Sequence, residues 1–194
     1  MAGGIHVDRP RVLMVDDEKE VADAYALRLE GVSEVTVAYS GAEALEAVSP
    51  SDPPDVVLLD RHMPDLSGDE VLAELREHDM RTRIVMVTAI DPGLELLELP
   101  FDDYLCKPVE REDIRAAVDQ QCRVLAYELL GEYFKLESKR SVIAAEVPPK
   151  RLTDHEEFTA LDARTDALRE RVCRLLPDAE TLLETFSGID REGY

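Results

Sequence analysis

The stretch Val56-Val57-Leu58-Leu59-Asp60-Arg61-His62-Met63-Pro64-Asp65-Leu66-Ser67-Gly68 decides how the rest of this chain is read. Four apolar residues run straight into a carboxylate, and a loop containing Pro64 follows at once. A short continuous apolar run bounded by turn residues marks a strand buried on both faces. Ser67 and Glu70 have the capping-box spacing, so a helix opens there and turns Val71, Leu72 and Leu75 inward. A buried strand that ends on Asp and passes through a loop into a helix is half of a parallel α/β unit.

Working outward, three more apolar runs end on residues that carry chemistry. Val12-Val15 is followed by Asp16 and Asp17, Ile84-Val87 by Thr88, and Tyr104-Cys106 by Lys107. The predicted strands are Arg11–Asp16, Glu34–Ala38 (the weakest), Asp55–Leu59, Arg83–Val87 and Asp103–Cys106. Helical patterns separate them. Lys19–Leu29 presents Val21, Tyr25 and Leu29 on one side, and Ser40 with Glu43 caps a helix through Val48. Asp91-Pro92-Gly93 and Pro100 leave room for only a short fourth helix, about Leu94–Glu98. The fold class expected is therefore α/β, with helices on both faces of a five-stranded parallel sheet.

After Pro108 the chain turns helical. Glu110 to about Ala145 contains no Pro and a single Gly, and Pro148-Pro149 ends it. Thr153 with Glu156 is expected to cap the next helix, whose residues Phe158, Leu161, Thr165, Leu168, Val172 and Leu175 form a heptad seam. Pro177 ends that helix, and Glu180–Phe186 adds a last turn or two. The reading is a first domain over 9–126 and a helical hairpin over 127–194.

Composition sets the limits. With 194 residues and 45% hydrophobic side chains, the chain can bury a core. Three scattered cysteines without Cys-x-x-Cys spacing argue against a disulfide framework or a zinc site. The first eleven residues show no apolar signal region, and no apolar run nears a membrane span of about 20 residues, so a cytoplasmic protein without a membrane partner is expected. The charge is unusual: 43 acidic against 22 basic residues, a net of −21. Such a surface either steers a basic partner or keeps a protein hydrated in concentrated salt. Its spread along nearly every helix favours the second.

With strand order 2-1-3-4-5, the first and third strands are neighbours, and Asp16, Asp17 and Asp60 meet where the strands end. Three carboxylates that close need a proton or a cation between them. Mg²⁺ suits them, being hard and completing its shell with water and phosphate oxygens, and the His62 backbone carbonyl is a further candidate ligand. Once Asp60 carries a phosphoryl group, the metal and Lys107 neutralise it and Thr88 donates a hydrogen bond. Phosphoryl transfer demands little more than such positioning.

At these residues a resemblance becomes visible. Val15-Asp16-Asp17-Glu18, Leu59-Asp60 through Gly68, Val87-Thr88-Ala89 and Asp103-Tyr104-Leu105-Cys106-Lys107-Pro108 resemble the response-regulator receiver domain of two-component signalling. The resemblance covers about residues 9–126 and implies a flavodoxin-like fold, a phosphoacceptor at Asp60 and Mg²⁺ at Asp16 and Asp17. It also implies Thr88, Ala89, Lys107 and Tyr104 as switch and phosphoryl-binding residues, a cis bond before Pro108, and a sensor histidine kinase as phosphoryl donor. Beyond accepting and losing its own phosphoryl group, no enzymatic activity is implied. The segment from Thr88 to Lys107 is shorter than the family's pattern, which puts its usual dimer face in doubt. Residues from Tyr127 to Arg140, with the heptad helix after them, resemble the HalX domain of haloarchaeal regulators, a module that brings no demonstrated activity.

Plainer readings stand beside these. His62 reads as a solvent-facing loop residue and Cys106 as a small strand residue. Lys135, Lys139, Arg140, Lys150 and Arg151 form a local basic cluster, yet residues 127–194 carry 15 acidic against 10 basic side chains. No recognition helix, zinc-finger spacing or basic arm is present, so direct DNA binding is disfavoured. The leading expectation is a phosphorylated switch whose hairpin is an interaction or homodimerisation element. A DNA-binding regulator and a phosphate sink remain the alternatives.

Overall fold

The structure is a computed structural model that describes residues 9–49, 51–78, 80–89, 93–153 and 155–187. Residues 1–8 of the N-terminal stretch read for a signal region (1–11), and the Asp91-Pro92 pair read as shortening the fourth helix, lie outside the described residues.

Five strands form one all-parallel sheet: β1 (Arg11–Val15), β2 (Glu34–Ala38), β3 (Val56–Leu59), β4 (Arg83–Thr88) and β5 (Asp103–Cys106). Their order is β2-β1-β3-β4-β5, as expected. The central strands carry continuous apolar runs because helices cover both of their faces; all four residues of β3 are apolar and buried. Leu13, Val15, Val57, Leu59, Ile84 and Met86 share one face with Ala44, Val71, Leu72 and Leu75. Alternation sends Val12, Met14, Val56, Leu58, Val85 and Val87 to the other face. The helices of this part are α1 (Lys19–Leu29), α2 (Gly41–Ala47) and α3 (Gly68–Glu77). Leu94–Glu98 forms a 3₁₀ helix, within the bounds the prolines predict, and leaves Leu94 and Leu97 almost fully exposed.

Local chemistry explains the helix starts. Ser67 and Glu70 make the full reciprocal capping box. Ser40 accepts from the Glu43 N–H, but the Glu43 carboxylate reaches back to the N–H of Tyr39 rather than of Ser40. At the far end of the sheet, Arg76 donates to the carbonyls of Thr82 and Pro100 and pairs with Asp102 at 2.6 Å. That network anchors the chain as it leaves the 3₁₀ helix for β5.

The chain divides into two compact units, Met1–Leu125 and Ala126–Tyr194. Helix α4 (Arg111–Glu146) contributes to both. The second unit also contains α5 (Pro149–Thr153), α6 (Glu156–Leu175) and α7 (Ala179–Ser187). Within it, Arg140 of α4 pairs with Asp162 and Asp166 of α6 at 2.9 and 3.1 Å, and Arg164 of α6 pairs with Glu132 of α4. The heptad positions Thr165, Val172 and Leu175 are buried, while Phe158, Leu161 and Leu168 are partly so. Thr165 tolerates full burial because its hydroxyl donates to the Leu161 carbonyl at 2.7 Å.

One expectation fails here. Thr153 does not cap α6; it ends α5, and its hydroxyl donates back to the Lys150 carbonyl at 3.1 Å. The residue preceding α6 is His155, which makes no side-chain cap. A Ser/Thr hydroxyl satisfied by its own preceding turn is unavailable to the next one, and the spacing rule cannot see that competition.

Candidate functional site

Register alone brings the reactive side chains together. Val15 pairs with Leu59, so the next residues, Asp16 and Asp60, emerge side by side. The Asp60 N–H extends the ladder by donating to the Val15 carbonyl at 2.9 Å. Leu59 pairs with Met86, which puts Thr88 two residues beyond the end of β3 and one beyond the level of Asp60. Thr88 pairs with Cys106, and the Lys107 N–H donates to the Thr88 carbonyl at 2.8 Å. Four strands thus deliver their last residues to one edge, as an open parallel sheet does.

Carboxylate oxygens of Asp16, Asp17 and Asp60 all lie within 4.8 Å of one another. Asp16 is fully buried and Asp60 is 5% exposed, while Asp17 is half-buried. Lys107 reaches between them, its Nζ 2.6 Å from Asp16 Oδ2 and 3.2 Å from Asp60 Oδ1. The other oxygen of Asp16 accepts from the Glu18 N–H at 3.0 Å. Burial pushes the Asp60 carboxyl above its ordinary range, against the opposing pull of Lys107. Burial alone would lower Lys107, but its hydrogen bond to Asp16 and the charges of Asp60 and Asp16 together raise it. The ammonium is therefore held charged between Asp16 and Asp60.

The remaining predicted residues lie on β4 and β5 or in the loops that follow β3, β4 and β5. Thr88 is 1% exposed at the end of β4, and Ala89 beside it is exposed. Tyr104 is half-buried on β5, packs against the core and lies 5.8 Å from the Phe101 ring. His62 is exposed in the loop two residues beyond Asp60. The Lys107–Pro108 peptide is cis.

Sequence reasoning missed the supports. Tyr25, read only as an apolar-face residue, accepts the Val109 N–H on its hydroxyl at 3.1 Å, and Arg28 donates to the Val109 carbonyl. These two residues of α1 hold the chain just past Lys107-Pro108. Gly68 donates to the Arg61 carbonyl at 2.9 Å, and Arg61 forms a fork on Asp69. No spacing signals a tyrosine hydroxyl that meets a backbone amide 84 residues away.

Known proteins with the same features are numerous. The family described as the response regulator receiver domain matches residues 12–119, and the HalX domain matches residues 123–187. A Haloferax volcanii protein named as a transcriptional regulator is 38% identical over 160 residues, covering 81% of this chain and 27% of that protein. The transcriptional regulatory protein CutR of Streptomyces coelicolor is 44% identical over 113 residues, covering 56% of this chain and 51% of CutR. The chain thus spans little more than a quarter of the first relative and about half of the second. Among solved structures, the signal receiver domain of a Vibrio parahaemolyticus protein has a TM-score of 0.59 at 26% identity, covering 64% of this chain and 98% of that one. Among the described residues, no helix is long and apolar enough to cross a membrane. Because the receiver match covers more than half of the sequence, the relationship is settled: this chain belongs to the response-regulator receiver family and carries a HalX domain behind its receiver.

Proposed function

We propose that this response regulator accepts a phosphoryl group on Asp60 from a sensor histidine kinase and passes the resulting change to its C-terminal helical domain. The observation that carries the reading is the carboxylate triad with one lysine lying between Asp16 and Asp60. Receiver domains bind Mg²⁺ at an acidic pocket, and the residues here fit that ion. Three hard oxygen donors face one ammonium, which leaves negative charge for a small, hydrated cation to balance. Asp16, Asp17 and Asp60 would hold it, with the His62 carbonyl as a further oxygen. Bound there, the ion would neutralise the charge on the phosphoryl oxygens.

The chain's own residues do the rest. A carboxylate oxygen of Asp60 attacks phosphorus, and the phosphorus–nitrogen bond of the donor phosphohistidine breaks. The electron pair leaves with the imidazole, which takes up a proton from water. Lys107 follows the new negative charge on the phosphoryl group, and the Thr88 hydroxyl donates to it. Ala89 gives the phosphoryl group room on its exposed side, and Tyr104 fills the space Thr88 vacates. Two arrangements of the receiver face are then separated by contacts that only the phosphorylated form makes. Water attack on the aspartyl-phosphate resets the switch.

In this reading the helical domain binds a protein partner or a second copy of itself. The transcriptional regulators among the relatives favour a second reading, in which it acts on DNA. Asp60→Asn should abolish Mg²⁺-dependent labelling by acetyl phosphate; labelling that persists would place the nucleophile elsewhere. A mobility shift at high salt, with and without beryllofluoride, separates the two outputs: a salt-tolerant, sequence-selective shift would establish the second.

A further inference from the structure

Next to the acceptor stands a positive charge that the proposed chemistry does not use. Arg61 follows Asp60 directly, and its backbone N–H donates to the Asp60 carboxyl. Its side chain is largely buried, at 14% exposure. The guanidinium is turned onto Asp69, with Nε 3.2 Å from each carboxylate oxygen and Nη2 3.1 Å from Oδ2. A planar fork laid on a carboxylate is the oriented, strong form of an ion pair, and a guanidinium cannot relieve its situation by losing a proton.

The backbone around this pair is fixed by a second set of contacts. Gly68 donates to the Arg61 carbonyl at 2.9 Å. It also passes so close that a methyl group in its place would lie 2.1 Å from the Asp60 carbonyl oxygen. Asp69 stands in the first turn of α3, where Ser67 and Glu70 hold the helix start with a complete capping box. The fork is thus braced from both ends: by the strand that positions Asp60 and by the helix that positions Asp69.

The electrostatic consequence follows from adjacency. Three carboxylates clustered beside a mobile arginine would draw its guanidinium toward them, and a guanidinium resting there excludes a divalent cation by charge and by volume. Lys107 already bridges two of those carboxylates. We propose that Asp69 is a positioning residue that sequesters the Arg61 guanidinium, keeping the Asp16–Asp17–Asp60 cluster open to a divalent cation. This rests on the reading of that cluster as the cation site of a phosphoryl acceptor.

The experiment uses the full chain and Mg²⁺ alone as probe, titrated calorimetrically at constant ionic strength, with acetyl phosphate labelling as a second readout. Asp69→Asn keeps the shape of the side chain but removes the charge on which the Arg61 fork lies. It should weaken Mg²⁺ binding about three- to ten-fold, the order expected for one unit charge brought near a divalent ion in a partly aqueous site. Arg61→Gln should bind Mg²⁺ at least as tightly as the wild type does, and the double variant Arg61→Gln/Asp69→Asn should recover the wild-type affinity. Recovery is the decisive result, because a merely structural loss at the α3 N-terminus would persist in the double variant. An Asp69→Asn chain with unchanged affinity, or a double variant that stays weak, overturns the proposal while leaving the acceptor reading intact. A wild type that neither binds Mg²⁺ nor labels at Asp60 overturns both.

Discussion

Asp60 is held in tension between burial, which disfavours its charge, and Lys107, which favours it, and burial wins. The folded carboxyl therefore takes up its proton at a higher pH than the ordinary value of 3.8. Between those two values the folded state binds more protons than the unfolded chain, so stability falls as pH rises through that window. The contribution is fully present below 3.8 and lost above the raised folded value. Asp60→Asn resembles the protonated form at every pH. Without divalent cations it should unfold at a higher urea concentration than the wild type at pH 7, and the gap should close near about pH 3.5. Urea titrations followed by circular dichroism at the two pH values check this. A variant less stable than the wild type at pH 7 would mean that the lost contact with Lys107 outweighs the relief of burial.

At the scale of elements, two glycines separate backbone conformation from close approach. Gly31 follows α1 with φ of +83°, and a methyl group there would meet nothing within 4 Å. Gly31→Ala should cost only the left-handed penalty, about 1–2 kcal/mol, and leave phosphoryl labelling unchanged. Gly68 lies against the Asp60 peptide, so Gly68→Ala must displace the backbone that carries the acceptor. Its cost should reach about 3 kcal/mol or more, as for an overpacked core, and labelling should fall with it. Denaturant midpoints beside labelling rates distinguish the two. The same contrast explains what was legible. The strands announced themselves because parallel strands buried on both faces must be apolar throughout, as Val56-Val57-Leu58-Leu59 is. The capping box at Ser67 is a purely local bargain and was read correctly, whereas Thr153 had a nearer acceptor in its own preceding turn. Asp16, Asp60, Thr88 and Lys107 were visible because each is the first polar residue after, or the last within, an apolar run, and Asp17 because it follows Asp16 directly. Tyr25 and Arg61 were not, since their roles depend on partners that only the folded chain brings near.

For the whole molecule the governing quantity is 43 acidic against 22 basic side chains. Many of the carboxylates are exposed on the helices, and their mutual repulsion is relieved when the chain unfolds and expands. Among the described residues, some attractive pairs are exposed, such as Arg123 with Asp119, and others are shielded from solvent, such as Arg140 with Glu137 or Lys107 with Asp16. Salt acts unequally on these two sets. The Debye length falls from about 10 Å at 0.1 M to about 3 Å at 1 M, which removes repulsion between exposed charges but screens partly buried pairs much less. Raising KCl from about 0.1 to 2 M should therefore raise the urea midpoint of the full chain monotonically. Most of the gain should fall below about 1 M, where the screening length changes fastest. Choline chloride at matched ionic strength should reproduce the early part of the rise, because screening does not depend on the cation's identity. A midpoint that falls with KCl would show that the ion pairs within the C-terminal helices outweigh the repulsion. A rise with KCl that choline chloride fails to reproduce would point instead to potassium bound at particular carboxylates.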